Sequence, residues 1–219
     1  LELISEAAVL DQVVAVEEAL SSLGCQSRHA AIRNLAELLQ SVDDYAPQLI
    51  FNLCEGLDGN SACESHVAAV LELLRRPFSG SNALTAGLAR NKNLSKKILR
   101  ASGILTPQWL FCQDLPAALP PGLHFPLICK PACEDASLGI PAQAVARDLP
   151  GLHRNLALLL PRFAAEGVLV EEFIAGREFN VALMPDATGV RALPPAEIDF
   201  SRLPAGEEPI VSYAAKWLE

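Results

Sequence analysis

The stretch Leu127-Ile128-Cys129-Lys130-Pro131-Ala132-Cys133-Glu134-Asp135-Ala136-Ser137-Leu138-Gly139-Ile140 joins a short apolar strand to a loop of small and acidic residues. Lys130 stands at the end of the predicted strand, and Ser137 lies in the loop that follows. An ammonium group is a point charge for phosphate oxygens, and small residues let backbone N–H groups approach those oxygens. The stretch therefore indicates a polyphosphate site. A strand that ends in a solvated lysine before an ordinary loop is the alternative.

A second stretch, Val168-Leu169-Val170-Glu171-Glu172-Phe173-Ile174-Ala175-Gly176-Arg177-Glu178-Phe179, runs from an apolar strand through acids into a glycine turn. Chain that leaves a strand in this way can offer backbone C=O and N–H groups to an adenine edge. The later carboxylate of Glu178 can accept hydrogen bonds from ribose hydroxyls. The alternative is a strand followed by a solvated acidic turn.

Apolar periodicity in the first third of the chain predicts helices that alternate with strands. Amphipathic helices are expected over 9–23, 35–42 and 67–74. A short strand is expected over 26–30, and a continuous apolar strand of the buried, parallel type over 49–53. This alternation predicts an α/β layer structure.

The turn-rich segment Pro77-Phe78-Ser79-Gly80-Ser81 is the candidate domain boundary. Beyond it, helices are predicted over 83–90, 94–102 and 149–165. The last of these helices carries an apolar stripe made of Leu152, Leu156, Leu159, Leu160 and Phe163. The other predicted segments are extended chain over 106–111, a hairpin formed by 179–184 and 190–193, and an extended segment over 210–218.

Composition excludes several classes of protein. The 219 residues are half apolar and carry a formal charge of −9, which argues against a general binder of nucleic acid or anionic membranes. No apolar run reaches the ~18 residues of a membrane span, and the first residues lack a signal-peptide pattern, so we expect a cytoplasmic protein. The six cysteines include no CxxC pair, which favours reduced core thiols over a zinc site.

The chain resembles the ATP-grasp ligases and, among them, the D-alanine–D-alanine ligase group. Six motifs occur in the family's order, and the resemblance extends over nearly the whole chain. The six are Phe51-Asn52-Leu53-Cys54-Glu55-Gly56, the 77–81 segment, Asn91-Lys92 with Lys96-Lys97 and Thr106-Pro107, the 126–140 stretch, the 168–179 stretch, and Tyr213-Ala214-Ala215-Lys216-Trp217.

The resemblance implies an ATP-dependent carboxylate–amine ligase that phosphorylates one acid and lets an amine attack the acyl phosphate. It implies a role in peptidoglycan biosynthesis, small amino-acid-like substrates and a possible homodimer. A non-catalytic or regulatory ATP-binding relative is the alternative. The implied site residues are Lys92 and Lys130 for the ATP phosphates, Ser137 for the loop that closes on them, Glu171 and Ile174 for adenine with Glu172 beside them, Glu178 for ribose, and Lys216 for the γ-phosphate.

The resemblance also implies a domain layout: an N-terminal parallel-sheet domain over 1–82 that lacks its first strand, a central ATP-grasp subdomain over 83–172, and the start of a C-terminal subdomain over 173–219. The Mg²⁺ ligands are expected beyond the end of this sequence, so the 219 residues alone are expected not to turn over. Ala136 and Trp217 stand where dipeptide-forming members have serine and tyrosine, and Glu55 stands where many have histidine. The first two departures put D-alanine specificity in question.

Overall fold

The computed structural model describes residues 2–141, 143–204 and 206–217. The chain divides into two compact units, of which the first comprises Leu1–Ile104 with Ala132–Leu138 and the second comprises Leu105–Pro131 with Gly139–Glu219. The two units are defined by which residues contact one another. The predicted three-part layout over 1–82, 83–172 and 173–219 stays a prediction.

The first unit is mainly helical. Its helices are α1 (Glu2–Ser22), α2 (Leu35–Tyr45), α3 (Glu64–Leu73), α4 (Ala83–Arg90) and α5 (Lys92–Ala101), with a short 3₁₀ turn over Ser61–Cys63. Helices α2, α4 and α5 each start after an asparagine whose side-chain oxygen accepts a backbone N–H of the first turn. The core of this unit is formed by Leu38, Val42, Leu57, Val67 and Leu71.

The second unit is built on an antiparallel sheet. Its strands are β1 (Trp109–Cys112), β2 (Leu127–Pro131), β3 (Val145–Ala146) and β4 (Val168–Glu172), in the order β1-β4-β2-β3. Helix α6 (Leu149–Phe163) packs on this sheet, and all five residues of its predicted apolar stripe are buried. Two smaller pairs follow: β5 (Phe179–Asn180) with β8 (Ala196–Glu197), and β6 (Leu183–Asp186) with β7 (Gly189–Ala192). The unit's last helix, α7, spans Tyr213–Trp217.

Three predicted extended segments are wrong. Residues 26–30 are exposed and form no strand, because no neighbouring chain pairs with them in the described residues. The apolar segment 49–53 forms one parallel bridge, Ile50 with Phe78, and leaves Leu49 and Phe51 exposed. Within the described residues, the first unit therefore shows one parallel bridge where a parallel sheet was expected.

The third wrong segment is 210–218, where the described part contains α7. The Ser212 hydroxyl accepts the backbone N–H of Ala215 at 3.1 Å, and the Ser212 carbonyl accepts that of Lys216 at 3.1 Å. A serine at this position caps a helix, and this local signal outweighs the apolar character of the segment. Leu218, the end of the predicted segment, lies outside the described residues.

The predicted hairpin is confirmed in part. Strands β6 and β7 pair antiparallel from Leu183 with Ala192 to Asp186 with Gly189. Residues 179 and 180, predicted to belong to the same hairpin, pair instead with β8.

Two cysteines of the sheet are core residues. Burial raises the pKa of Cys112 to about 11 and that of Cys129 to about 12. Both thiols are therefore protonated at neutral pH and pack as small apolar groups. Cys25 is exposed, so the expectation of core thiols is wrong for that residue.

The helices offer no candidate for a bilayer span. Within residues 2–141, 143–204 and 206–217, none is both long enough and apolar enough to cross a membrane.

Candidate functional site

The sheet register explains how one predicted ATP lysine meets one predicted adenine-binding acid. In the antiparallel pair of β2 and β4, Lys130 lies opposite Leu169 and Ile128 lies opposite Glu171. Lys130 and Glu171 are thus diagonal neighbours on one face of the sheet, because side chains two apart on a strand share a face. Lys130 Nζ forms an ion pair with Glu171 Oε1, and both side chains are largely buried.

The opposite face of the same strands packs against α6. Leu127 and Cys129 of β2 and Val168 and Val170 of β4 belong to this core. The face that carries Lys130 and Glu171 also holds the fully buried Leu169, so β4 is apolar on both faces. The contact of Lys130 with Glu171 follows from the register that the two strands adopt.

The end of β4 is held by its neighbours on both sides. Glu172 N donates to Gln108 O at 3.0 Å, and Glu172 Oε2 accepts from Gln108 N at 3.2 Å. Phe173 N donates to Pro126 O at 2.9 Å. Ile174 follows this last backbone bond with an exposed side chain. The predicted adenine edge thus lies where the chain leaves the sheet.

Two further predicted residues lie later in the second unit. Glu178 accepts a backbone hydrogen bond from Ile198 N at 2.9 Å and has an exposed side chain. Lys216, on α7, is exposed, and its Nζ lies 5.0 Å from the centroid of the Trp217 ring. These contacts of Glu178 and Lys216 do not involve Lys130 or Glu171.

In the first unit, Lys92 contacts the loop that contains Ser137. We call residues Ala132–Leu138 the 132–138 loop. Lys92 N donates to Ala132 O at 2.9 Å, Lys92 Nζ donates to Glu134 O, and Nζ lies 3.4 Å from Asp135 Oδ1. One residue at the start of α5 therefore contacts the loop through both its backbone and its side chain.

The far end of the 132–138 loop is a tight turn. Ala136 and Ser137 have φ of 52° and 62°, and Leu138 N donates to Asp135 O at 2.9 Å. Both central residues of this turn are in the left-handed region, which costs a non-glycine residue about 1–2 kcal/mol. Such strain occurs frequently at ligand-binding loops, and the role of Ser137 stays a prediction.

Sequence reasoning missed two charged residues near this loop. Arg90 Nη2 lies 3.6 Å from Glu134 Oε1, and both side chains are largely buried. Burial, followed by the nearby carboxylates of Asp135 and Glu55, raises the pKa of Glu64, and Arg90 acts in the opposite direction. No local pattern could have revealed these contacts, because their members lie far apart in the sequence.

Comparison with curated proteins reveals ligases among the relatives. The chain is 33% identical over 185 residues to the D-alanine–D-alanine ligase of Bordetella pertussis, covering 84% of this chain and 55% of that protein. It is 32% identical over 164 residues to the D-alanine–D-alanine ligase of a Marinomonas species, covering 74% and 48%. An uncharacterised protein of Sinorhizobium fredii is 34% identical over 170 residues, covering 78% and 48%.

Comparison with solved structures gives the same result. The D-alanine–D-alanine ligase from Bacillus anthracis complexed with ATP matches with a TM-score of 0.60 and 28% identity, over 76% of this chain and 52% of that one. The D-alanine–D-alanine ligase from Helicobacter pylori matches with a TM-score of 0.56 and 26% identity, over 70% and 48%. No protein-family model matches the chain.

The chain belongs to the ATP-grasp ligases and is a D-alanine–D-alanine ligase-like member of that family. It spans about half the length of the curated relatives it matches, from 48% to 55% of the three described above. The roles of its individual site residues stay predictions.

Proposed function

We propose that this chain provides nucleotide-binding elements of an ATP-dependent ligase that joins a carboxylate to an amine through an acyl phosphate. The observation that carries the proposal is the placement of Lys130 beside Glu171 at the ends of two core strands, in a chain of this family. The match to a relative solved with ATP supports the choice of nucleotide. The alternative, a non-catalytic ATP-binding relative, is less favoured because the curated relatives are named as ligases.

The proposed roles follow from the chemistry of each group. The ammonium groups of Lys92, Lys130 and Lys216 bind phosphate oxygens, with the Lys216 ammonium acting on the γ-phosphate. Charge neutralisation of this kind is what a phosphoryl-transfer transition state requires from a protein. Ser137, in the 132–138 loop, contributes a hydroxyl and a backbone N–H beside the phosphates.

The adenosine portion is assigned to the end of β4. Backbone groups of Glu171 and Ile174 bind the adenine edge, and Glu172 lies beside them. The exposed Glu178 carboxylate accepts from the ribose hydroxyls. The support for this assignment is the way the chain leaves the sheet between Glu172 and Ile174, after the last backbone bond at Phe173.

Mg²⁺ is assigned to no residue of this chain. Within the described residues, no group of three or more His, Cys, Asp or Glu side chains is arranged to hold a metal ion. The side-chain donors of the described residues therefore do not fit the cation. The expected use of Mg²⁺ by the whole enzyme stays a prediction.

We propose that the acid substrate is a small amino acid that is not recognised through the hydroxyl network of the D-alanine enzymes. Ala136 has no side-chain donor, and Trp217 can donate only through its ring N–H. In addition, Lys216 Nζ lies over the Trp217 ring, 5.0 Å from its centroid. Sites lose discrimination when groups that pair with the substrate are removed, so we expect weak selectivity for D-alanine.

The proposal is tested with Lys130→Met in the full-length protein. The methionine keeps most of the apolar stem and removes the ammonium, so ATP binding should weaken by about 1.5–3 kcal/mol, or roughly 10- to 150-fold in Kd. Isothermal titration with ATP measures this loss. The matched control is Lys97→Met, which removes an exposed lysine of α5 and should leave Kd unchanged.

A second variant controls for the effect that removing Lys130 has on Glu171. Lys130→Met leaves a largely buried carboxylate without its cation, and Lys130→Met/Glu171→Gln removes that charge as well. The double variant should recover thermal stability without recovering ATP affinity. Equal ATP affinity in wild type and Lys130→Met would show that the nucleotide does not bind at this lysine.

A further inference from the structure

We propose that Arg90 is a positioning residue that anchors the 132–138 loop through Glu134, so that Lys92 can exchange Asp135 for a nucleotide phosphate. This inference rests on the proposed function, because it assigns the loop and Lys92 to ATP. It concerns a residue that touches no substrate and acts through another side chain.

The ion pair of Arg90 and Glu134 is the sheltered contact of the loop. Arg90 Nη2 lies 3.6 Å from Glu134 Oε1, and the two side chains are only 14% and 15% exposed. Arg90 Nη2 also donates to the Ser61 hydroxyl at 3.4 Å, which connects the guanidinium to the turn before α3. Both charged groups are largely withdrawn from solvent, and breaking a sheltered ion pair is costly, so this contact should persist when ligand binds.

The ion pair of Lys92 and Asp135 is the exchangeable contact. Its atoms are 3.4 Å apart, and the Asp135 side chain is 64% exposed while that of Lys92 is 24% exposed. An exposed pair of this kind contributes little and is screened by solvent. A triphosphate carries more charge than one carboxylate and forms stronger charge-assisted hydrogen bonds with an ammonium. Asp135 is therefore the partner that Lys92 would release.

The ion pairs at Glu134 and Asp135 divide the loop into an anchored part and a part that would exchange its contact for phosphate. Residues 132–134 are held by the backbone bond from Lys92 N to Ala132 O and by Arg90 on Glu134. The turn over residues 135–138 follows this anchor. Loss of Arg90 should consequently loosen the part of the loop that faces phosphate, while adenosine recognition at β4 is unaffected.

The experiment measures ATP and adenosine binding by titration calorimetry in the full-length protein. The variants are Arg90→Met, Glu134→Gln and the double substitution, with exposed Arg100→Met as the matched control. Each single variant should raise Kd for ATP about tenfold and leave Kd for adenosine within about twofold. The double variant should also raise Kd for ATP by no more than about tenfold, because both substitutions break the same contact. Arg90→Lys should restore part of the ATP affinity, and Arg100→Met should behave as wild type.

Hydrogen exchange at the amides of residues 132–138 provides a second measurement that needs no nucleotide. Exchange should be faster in Arg90→Met and Glu134→Gln than in Arg100→Met. Unchanged ATP affinity and unchanged exchange in both single variants would overturn the inference, as would equal losses for ATP and adenosine. If Arg90→Met fails to fold, the same two measurements on Glu134→Gln decide between these outcomes. A wild type that binds no ATP would refute the proposed function, while the exchange rates would still decide whether Arg90 anchors the loop.

Discussion

Replacing Gly139 by alanine tests the packing just beyond the 132–138 loop. Gly139 has φ +74°, and a Cβ atom there would lie 2.8 Å from Pro131 Cγ and 2.9 Å from Phe163 Cε2. Pro131 is fully buried in β2, and Phe163 belongs to the core stripe of α6, so neither neighbour can move at low cost. The left-handed backbone costs an alanine about 1–2 kcal/mol, and forced overpacking adds about 1–3 kcal/mol. We expect Gly139→Ala to lower the free energy of unfolding by about 2–5 kcal/mol.

Gly122→Ala is the matched control for this substitution. Gly122 has φ +86°, and no atom lies within 4 Å of the position its Cβ would take. This variant should lose only the backbone component, about 1–2 kcal/mol. The difference between the two variants isolates the contact with Pro131 and Phe163.

Urea unfolding followed by tryptophan fluorescence is the assay for both glycine variants. The two tryptophans of the sequence, Trp109 and Trp217, lie in the second unit with both glycines, so the signal reports that unit. The unfolding free energy is extrapolated to water, and an unchanged slope shows that the unfolded state has not changed. If Gly139→Ala were no less stable than Gly122→Ala, the close packing between β2 and α6 at this point would be refuted.

Two further predictions concern helix α6 in the second unit and Glu64 in the first. Leu156→Ala on the buried face of α6 should lower the free energy of unfolding by about 2–5 kcal/mol. Leu158→Ala on the exposed face should change it by less than about 0.5 kcal/mol. Equal losses of stability in urea unfolding would contradict the assignment of the buried face. In the first unit, burial and then the carboxylates of Asp135 and Glu55 raise the pKa of Glu64 above its ordinary value of 4.5, so the folded state holds this proton more tightly than the unfolded chain does. The stability that this provides is complete below pH 4.5 and is lost as pH rises through the raised pKa. Glu64→Gln should therefore be more stable than wild type at pH 7, and its free energy of unfolding should depend less on pH above 4.5. Urea unfolding followed by circular dichroism at pH 4.5 and pH 7 measures this difference. The same change of stability with pH in variant and wild type would count against it.

The helices could be predicted because their signals are local. The stripe of α6 repeats at helical spacing, and every member is buried. The asparagines before α2, α4 and α5 accept the N–H groups that a first helical turn leaves unpaired. Such features act within a few residues, so the sequence alone is sufficient to reveal them.

The failed strands show what a local signal cannot provide. Residues 49–53 have the apolar composition of a buried strand, but a strand is stabilised by the chain beside it. Within the described residues, only Phe78 pairs with this segment, through Ile50, and Leu49 and Phe51 are exposed. The apolar composition favours a strand, but too few neighbouring residues pair with this segment to form one.

The sequence suggests members of the candidate site but not the contacts that they make. The resemblance points to Lys92 and Lys130 through short motifs, and their roles stay predictions. That Arg90 contacts Glu134 and that Glu64 lies near Asp135 depends on how distant segments pack. The pair of Lys130 and Glu171 likewise depends on the register of β2 and β4, which a continuous apolar run such as 168–170 does not specify.

Lys92 and Lys130 each have a carboxylate partner within their own unit, and the two partners differ in exposure. Asp135 is mostly exposed, so exchanging it for phosphate requires little desolvation. Glu171 is buried, so separating it from Lys130 would break an ion pair that is sheltered from solvent, which is costly. An ammonium has three donors, so Lys130 can keep Glu171 and still donate to a phosphate oxygen. If both lysines bind phosphate as proposed, the buried pair would hold one ammonium in a defined position, while the exposed pair would let Lys92 exchange Asp135 for the ligand.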